Sequence, residues 1–344
     1  MNNQNHFLVC VRCFTFNHVP YIKDAMDGFC MQQTSFPYIC IIVDDASTDG
    51  EQEVIKSYLV QNFNLDNQEI VRNEETDNFV MTFAQHKTNE NCFFAVYYLK
   101  YNHYSIKKDK FPYFAEYHDN ARYIALCEGD DYWTDPRKLQ KQSDVLDNNP
   151  DMSMVYTAFK TVNEKSLTIH RPRYDRYIRR SHTGNILPEL FYSNYILTLT
   201  IMFRREVLHS NLYVNTPNKY DYALFFAAAF LGKCYFIPDV MGCYRKNEGS
   251  SITSRLTEVE RGLYQVYKYF VDRFLNEECE VECTMIENVK IYRNMFVNLF
   301  FHSDYQYVKR IMKRTFISIL LIPESFAFSL LKKLKWKTYG SIDR

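Results

Sequence analysis

Two short apolar runs in this chain end in clusters of carboxylates, and no other feature constrains the fold as tightly. Residues 38–43 lead straight into Asp44-Asp45-Ala46-Ser47-Thr48-Asp49-Gly50, and residues 123–127 lead into Glu128-Gly129-Asp130-Asp131. An unbroken apolar run of this length is the mark of a strand covered on both faces, and such strands belong to sheets with helices packed on either side. Ligands of those sheets gather at the carboxyl ends of the strands, where both clusters fall. Acids crowded together repel one another unless a cation stands among them. Capping of the following helices accounts for Ser47, Thr48 and Asp135. It does not account for two acidic clusters that each precede their own cap, since a cap needs one polar residue.

The periodicity of the rest agrees with an alternating chain. Residues 7–14 read as a buried strand, and residues 18–33 as a helix with Ile22, Ala25, Met26 and Phe29 on one face. Thr48 and Glu51 have capping-box spacing at the start of the next helix. A third strand is expected over 80–85, a helix over 93–107, a fourth strand over 123–127, a helix opened by Asp135-Pro136, and a strand over 152–159. The stretch 163–181, rich in Arg and Tyr, reads as a loop over the active face. A strand over 199–205, a helix over 220–231 and a strand over 234–244 follow. From residue 256 the pattern is helical, with Val259, Leu263, Val266, Phe270 and Phe274 in one stripe and further helices over 285–301 and 305–331. The fold class expected is α/β, a mixed and mostly parallel sheet flanked by helices, with a helical C-terminal extension over 251–344.

Composition excludes more than it proposes. Lys and Arg total 41, as do Asp and Glu, so charge gives no reason to expect nucleic acid as a partner. Residues 1–4 lack the basic-then-apolar layout of a signal peptide, and ten scattered Cys suit a reducing cytosol. Cys10 and Cys13 have C-x-x-C spacing, but on a strand they point to opposite faces, and no second pair completes a zinc site. Neither a G-x-G-x-x-G after the first strand nor a P-loop is present, and only 9 Gly are available in all. A chain of this architecture that binds a diphosphate therefore needs another source of positive charge. Carboxylates holding Mg²⁺ or Mn²⁺ are the obvious one, because hard oxygen ligands select those ions.

Three blocks then carry a resemblance: Phe14-Thr15-Phe16-Asn17, Val43-Asp44-Asp45-Ala46-Ser47-Thr48-Asp49-Gly50, and Tyr123 to Trp133 with Glu128-Gly129-Asp130-Asp131 inside it. In this order and on these elements they resemble glycosyltransferase family 2, whose members have the GT-A fold, over about residues 1–250. The resemblance implies a nucleotide-sugar-binding half over about 1–135 and an acceptor half over about 136–250. It implies that Thr15, Phe16, Asn17, Asp44, Asp45 and Asp131 bind the donor, and that Asp130 and Glu128 stand where the family holds its metal. Glu in place of the first Asp of that motif is a departure. A second block, Asn194 to Thr198, Asp221-Tyr222, Gly232-Lys233 and Tyr244-Arg245, is similar to the acceptor half and places Asp221 at the general base. The plain structural reading of Asp221 is an acid at a helix start, and the two roles are compatible. Many relatives carry a metal-binding His after Tyr-Arg; here Lys246-Asn247-Glu248 stands instead, leaving Asn247, Glu248 or water for that position.

The activity so implied is inverting transfer of a sugar from a nucleotide-diphosphate donor to a hydroxyl on a saccharide or lipid-linked saccharide, in cell-surface polysaccharide or lipopolysaccharide synthesis. A nucleotidyltransferase is the rival enzyme, but it would show a glycine-rich basic loop after the first strand. A non-catalytic sugar-binding scaffold is the rival of another class, and the intact acids argue against it. Lys309, Arg310, Lys313 and Arg314 precede an apolar stretch that Lys332, Lys333, Lys335 and Lys337 follow. This pattern fits either an anchor at the cytoplasmic membrane surface or a helix packed on the catalytic domain.

Overall fold

The computed structural model describes residues 7–246 and 256–314. The chain opens with β1 (Val9–Thr15), α1 (Ile22–Cys30), β2 (Tyr38–Asp44) and α2 (Glu51–Asn62). It continues through β3 (Arg72–Glu75), β4 (Phe79–Gln85), β5 (Cys92–Leu99), α3 (Ala115–Asn120), β6 (Tyr123–Leu126), β7 (Tyr132–Trp133), α4 (Lys138–Asn148) and β8 (Met152–Val162). Then come α5 (Pro172–Arg180), α6 (Leu187–Leu190), β9 (Met202–Arg204), α7 (Glu206–His209), α8 (Asn211–Val214), α9 (Asp221–Leu231) and β10 (Lys233–Arg245). The helices α10 (Leu256–Leu275), α11 (Met285–Phe301) and α12 (Tyr305–Arg314) end the described chain.

All ten strands form one sheet in the order β3-β4-β5-β2-β1-β6-β9-β8-β10-β7. Strands β5, β2, β1 and β6 pair in parallel, as do β8 and β10, whereas β4, β9 and β7 run against their neighbours. Every residue of β2, β5 and β6 is buried, as their apolar sequences require. One core layer joins the alternate residues Val9, Val11 and Cys13 of β1 to Ile22, Met26 and Phe29 of α1 and Ile55 and Leu59 of α2. The opposite layer contains Cys10, so the C-x-x-C pair is split between the two faces as expected; all ten cysteines are free.

The second layer extends into the C-terminal helices. Helix α9 is apolar on nearly every side because it lies between the sheet and α10, and Phe226 stacks on Phe270 at 4.8 Å. Val308 and Ile311 of α12 join the same core, and Arg310 pairs with Asp272 of α10. The described start of the tail is thus a packed helix. The apolar stretch and Lys332, Lys333, Lys335 and Lys337 lie outside the described residues, as do Asn247 and Glu248. Among the described residues, no helix is long and apolar enough to cross a membrane.

Several sequence expectations are corrected. Residues 93–107 are not a helix: β5 occupies their first part, and its buried aromatic and β-branched run pairs with β2 and β4. Strand β3, four exposed charged and polar residues, carries no apolar signal and is held at the sheet edge by β4 alone. The 163–181 stretch contains α5, with Pro172 in its first turn. The capping box at Thr48 and Glu51 does not form; Gly50, with φ 96°, precedes α2, and the Glu51 amide bonds to Asp49 instead. A capping box does form at Thr284 and Glu287 of α11. Helix α4 starts at Lys138, two residues beyond Pro136, with Asp135 accepting from the Arg137 amide.

Candidate active site

The carboxyl ends of β1, β2 and β6 lie side by side, because Thr15 is paired with Asp44 and Arg12 with Leu126. Two sharp turns leave these ends. Asn17 (φ 56°) and Ala46 (φ 60°) both adopt the left-handed conformation, which the short polar side chain of Asn tolerates and Ala does not favour. Asn17 also ties the turns together: its Oδ1 accepts from the Thr48 amide at 2.8 Å, and its own amide donates to Ser47 Oγ at 2.9 Å. Phe16, at the tip, is exposed.

Glu51, which the sequence reading had given only a capping role, is the hub of this corner. One carboxylate oxygen accepts from the Thr15 hydroxyl, and the other accepts from the His18 amide at 2.9 Å and the Ser47 hydroxyl at 2.8 Å. Burial pushes its carboxyl up, against the pull of those bonds. The nearest sequence signal was that Glu51 follows the Asp44–Gly50 turn; nothing in spacing points from Glu51 to Thr15.

Asp44 and Asp45 face different surroundings, as neighbours on a strand must. Asp44 Oδ1 accepts from the Ser47 amide at 3.1 Å and Gln52 Nε2 at 2.6 Å, whereas its Oδ2 is buried without a hydrogen-bond partner. Burial raises its pKa, with those bonds opposing. The hydroxyl of Tyr98, paired with Asp44 across β5, is also buried and unpartnered. A groove of about 730 Å³ opens alongside, with Ser47, Thr48, Gln52 and Lys56 on one wall and Tyr98 and Lys100 on the other. Asp45 instead binds the segment after β5. Its oxygens accept from the His103 amide at 2.7 Å, the Tyr104 amide at 3.1 Å and Lys110 Nζ at 3.3 Å.

The second cluster sits beside Thr15. Gly129 is required there, since a Cβ at 129 would collide with the Thr15 hydroxyl. Asp130 Oδ2 faces His18 Nε2 at 3.9 Å. Asp131 is buried, with Oδ1 accepting from the Arg245 amide at 2.7 Å, and its pKa is raised by burial and then by Asp130. Arg245 holds the whole loop. Its guanidinium donates to the Asp130 carbonyl at 2.8 Å, pairs with Asp24 at 2.7 Å and lies over the Tyr21 ring.

Glu128 is half-buried and its carboxyl is pushed up to about 8, first by burial, then by the charge of Asp221, with Arg12 opposing. Asp221, the first residue of α9, is exposed to solvent, yet the protein packed around it raises its pKa by desolvation, Arg12 again opposing. Glu128, after β6, and Asp221, at the start of α9, thus lie close enough for the charge of Asp221 to act on Glu128. Arg12 was missed by sequence reasoning, because a lone Arg inside an apolar strand has no motif. It is buried, its guanidinium lies 5.1 Å from the centres of both Phe14 and Phe111, and Nη1 has no partner. Lys110 lies over the same Phe14 ring at 4.3 Å.

The acids fit a hard divalent cation in part. Among the described residues no three of His, Cys, Asp and Glu are placed to hold a metal ion together. Mg²⁺ and Mn²⁺ commonly take one or two protein groups and complete the shell with water and phosphate oxygens.

No protein-family model matches the chain. An uncharacterized protein of Mycobacterium bovis and two of Mycobacterium tuberculosis are each 27% identical to it over 234 residues, 68% of this chain and 57% of theirs. The chain thus spans little more than half the length of these relatives. Among solved structures, residues 1–349 of S. aureus TarS in complex with UDP-GlcNAc superpose with a TM-score of 0.52 at 15% identity, covering 85% of this chain and 72% of that one. The mannosyltransferase PcManGT from Pyrobaculum calidifontis, in complex with GDP-Man and Mn²⁺, superposes with a TM-score of 0.52 at 13% identity, covering 98% and 84%. The chain has the mixed α/β, GT-A-like fold of these two structures, as expected from the sequence.

Proposed function

We propose that the protein is a glycosyltransferase of the family 2 type that moves a sugar from a nucleotide-diphosphate donor to a hydroxyl acceptor with inversion. The observation that carries the reading is the closeness of Glu128, in the acidic loop with Asp130, to Asp221, a carboxylate from the far half of the chain, in a fold shared with structures that hold nucleotide sugars. Both neighbours were solved with a nucleotide sugar.

In this reading the donor lies across the ends of β1 and β2. The unpartnered Asp44 Oδ2 accepts from the base, exposed Phe16 offers an aromatic face, and Thr15 and Asn17 shape the turn beneath. Asp45 acts from behind by holding the His103–Lys110 segment, and Asp131 by holding the acidic loop against Arg245. Asp130, with Glu128 beside it, holds Mg²⁺ or Mn²⁺. When bound, that cation neutralises charge growing on the leaving diphosphate. Asp221 accepts the proton of the acceptor hydroxyl as that oxygen attacks the anomeric carbon from the side opposite the diphosphate. A raised pKa suits a base that must hold a proton in the transition state. One displacement inverts the anomeric centre.

The acceptor is a saccharide or lipid-linked saccharide of a cell-surface polymer, reached at the cytoplasmic face of a membrane. The basic residues around 315–331 support that location, and loss of flotation with anionic liposomes on deleting residues 315–344 would test it. For the activity, the protein is incubated with a panel of UDP- and GDP-sugars and Mn²⁺. Release of nucleotide from one donor, increased by a hydroxyl acceptor, is the expected result; no release from any donor, with all donors failing to bind, would overturn the reading.

A further inference from the structure

A charged side chain inside β1 has no counterion. Arg12 stands in a strand that is otherwise apolar as far as Phe14, and it is only 7% exposed. Among the described residues its side chain makes no hydrogen bond and no ion pair. The guanidinium sits in the angle between Phe14 and Phe111, 5.1 Å from the centre of each, and these two rings meet edge to face at 5.9 Å. A guanidinium keeps its charge wherever it is placed, and aromatic faces offset only part of the loss of water. Burial without a partner is therefore costly, and Nη1 is buried without one.

The surroundings add a second unpaired atom and a second cation. His118 of α3 packs edge-on against Phe111 at 6.1 Å, and its Nε2 is also buried without a partner. Burial, and then the charge of Arg12, push its pKa down to about 3, so the ring is neutral and offers one N–H. The ammonium of Lys110 lies over the same Phe14 ring as Arg12, at 4.3 Å, with Asp45 as its partner at 3.3 Å. Like charges gathered at one ring repel, and an anion bound between them reverses that. Arg12 also acts through space on Glu128 and Asp221, yet pairs with neither. The guanidinium is thus close to the base without being spent as its counterion. A water molecule satisfies a nitrogen but does not neutralise a charge.

We propose that Arg12 determines acceptor specificity: its guanidinium receives an oxyanion, a carboxylate or a phosphate, carried by the acceptor sugar beside the hydroxyl that is glycosylated. The planar fork of a guanidinium matches two oxygens of such a group, and a setting poor in water strengthens the bond. Arg12 lies on the face of the sheet away from α2 and beside Asp221, whereas Asp44 turns toward α2. The anion therefore belongs to the acceptor and not to the nucleoside. This inference rests on the reading of Asp221 as the base, and it narrows the acceptor to an acidic sugar.

The test is titration of the full chain with methyl glucuronide, glucose 6-phosphate and neutral methyl glucoside, followed by ligand-observed NMR. Each sugar is added to the protein alone, with Mn²⁺ and UDP, and with Mn²⁺ and GDP. At least one acidic sugar should bind about tenfold or more tighter than the neutral one, the usual weight of a charged hydrogen bond. Whichever one does so identifies the oxyanion as carboxylate or phosphate. Arg12→Met should abolish the preference while nucleotide affinity and melting temperature hold, since the change removes an unpaired buried charge. Arg12→Lys, which keeps the charge and loses the fork, should retain only part of it. Equal affinity of all three sugars for the unmodified chain would overturn the inference without recourse to a variant, as would a preference that survives Arg12→Met. Nucleotide affinity lost in a folded Arg12→Met would assign the guanidinium to the donor diphosphate and overturn it likewise. Failure of both nucleotides to bind would count against the donor reading alone, because the preference is also measured on the protein without nucleotide.

Discussion

Glu51, at the first turn of α2, receives the hydroxyl hydrogen of Thr15, the last residue of β1. The bond joins a strand end to a helix start across the site. With the His18 amide and Ser47 hydroxyl on its other oxygen, this one carboxylate fixes both turns that leave β1 and β2. Glu51→Ala leaves three donors without this partner, the buried Thr15 hydroxyl and the part-buried His18 amide and Ser47 hydroxyl. It should lower unfolding free energy by about 2–4 kcal/mol, and nucleotide affinity should fall with it. Urea denaturation and nucleotide titration on one preparation check both effects; unchanged affinity in a destabilised variant would limit Glu51 to a structural role.

Asp44 should show the opposite combination. Its Oδ2 is buried and unpartnered, so in the ligand-free protein it is a liability that a bound base relieves. Asp44→Asn keeps an oxygen for Ser47 and Gln52 but replaces the free acceptor with a donor. Nucleotide binding should weaken by about 1.5–3 kcal/mol, a factor of roughly ten to a hundred or more, while the ligand-free melting temperature holds or rises. Calorimetric titration and a thermal scan are sufficient.

Asp221→Asn should spare donor and metal binding and strike the chemical step. The amide keeps the size of the side chain but cannot take a proton at neutral pH. Transfer should fall by about two to four orders of magnitude, with slow donor hydrolysis persisting. Near-normal turnover with a lowered melting point would reduce Asp221 to a helix-start acid.

Lys138 predicts a pH dependence far from the chemistry. It is fully buried, with its ammonium over the Trp133 ring at 4.7 Å and bonded to Gln142, and burial pushes its pKa down to about 7. The unfolded chain therefore binds a proton between about pH 7 and 10.5 that the folded chain does not, and stability rises with pH across that window. The gain between pH 7 and 9 should be about 2 kcal/mol, at about 1.4 kcal/mol per unit. Lys138→Met should flatten the rise. Urea midpoints at the two pH values measure it.

What the sequence could disclose divides along physical lines. Strands that are apolar throughout, such as β2 and β6, and acids placed directly after them are local patterns, and the two clusters fall at the carboxyl ends of these strands, where such patterns put them. The run Cys92–Leu99 is equally apolar, but burial on both faces erases the period-two signal, so a strand and a buried helix read alike until pairing with β2 and β4 decides. The division of labour between Asp44 and Asp45 was also out of reach. Adjacent residues in one motif, they differ because the strand turns one toward the α2 layer and the other toward the segment at 103–110. Glu51, His18 and Arg12 act through contacts between elements distant in sequence, which no spacing rule encodes.

The path of the sheet bears on how such a protein can be altered. The chain leaves β6 near the middle of the sheet, passes through the acidic loop, and enters β7 at the far end, where Tyr132 and Trp133 pair with Cys243 and Gly242 of β10. Trp133 also packs on Phe29 of α1 and donates to the Leu199 carbonyl. The acidic loop is thus strung between backbone from both ends of the catalytic region. A fragment cut after residue 135 would lose β10, the strand against which its own loop closes, and a foreign segment grafted there would have to supply a matching strand. Changes of substrate in this scaffold must then come from substitutions within a fixed frame, rather than from exchange of halves as interchangeable cassettes.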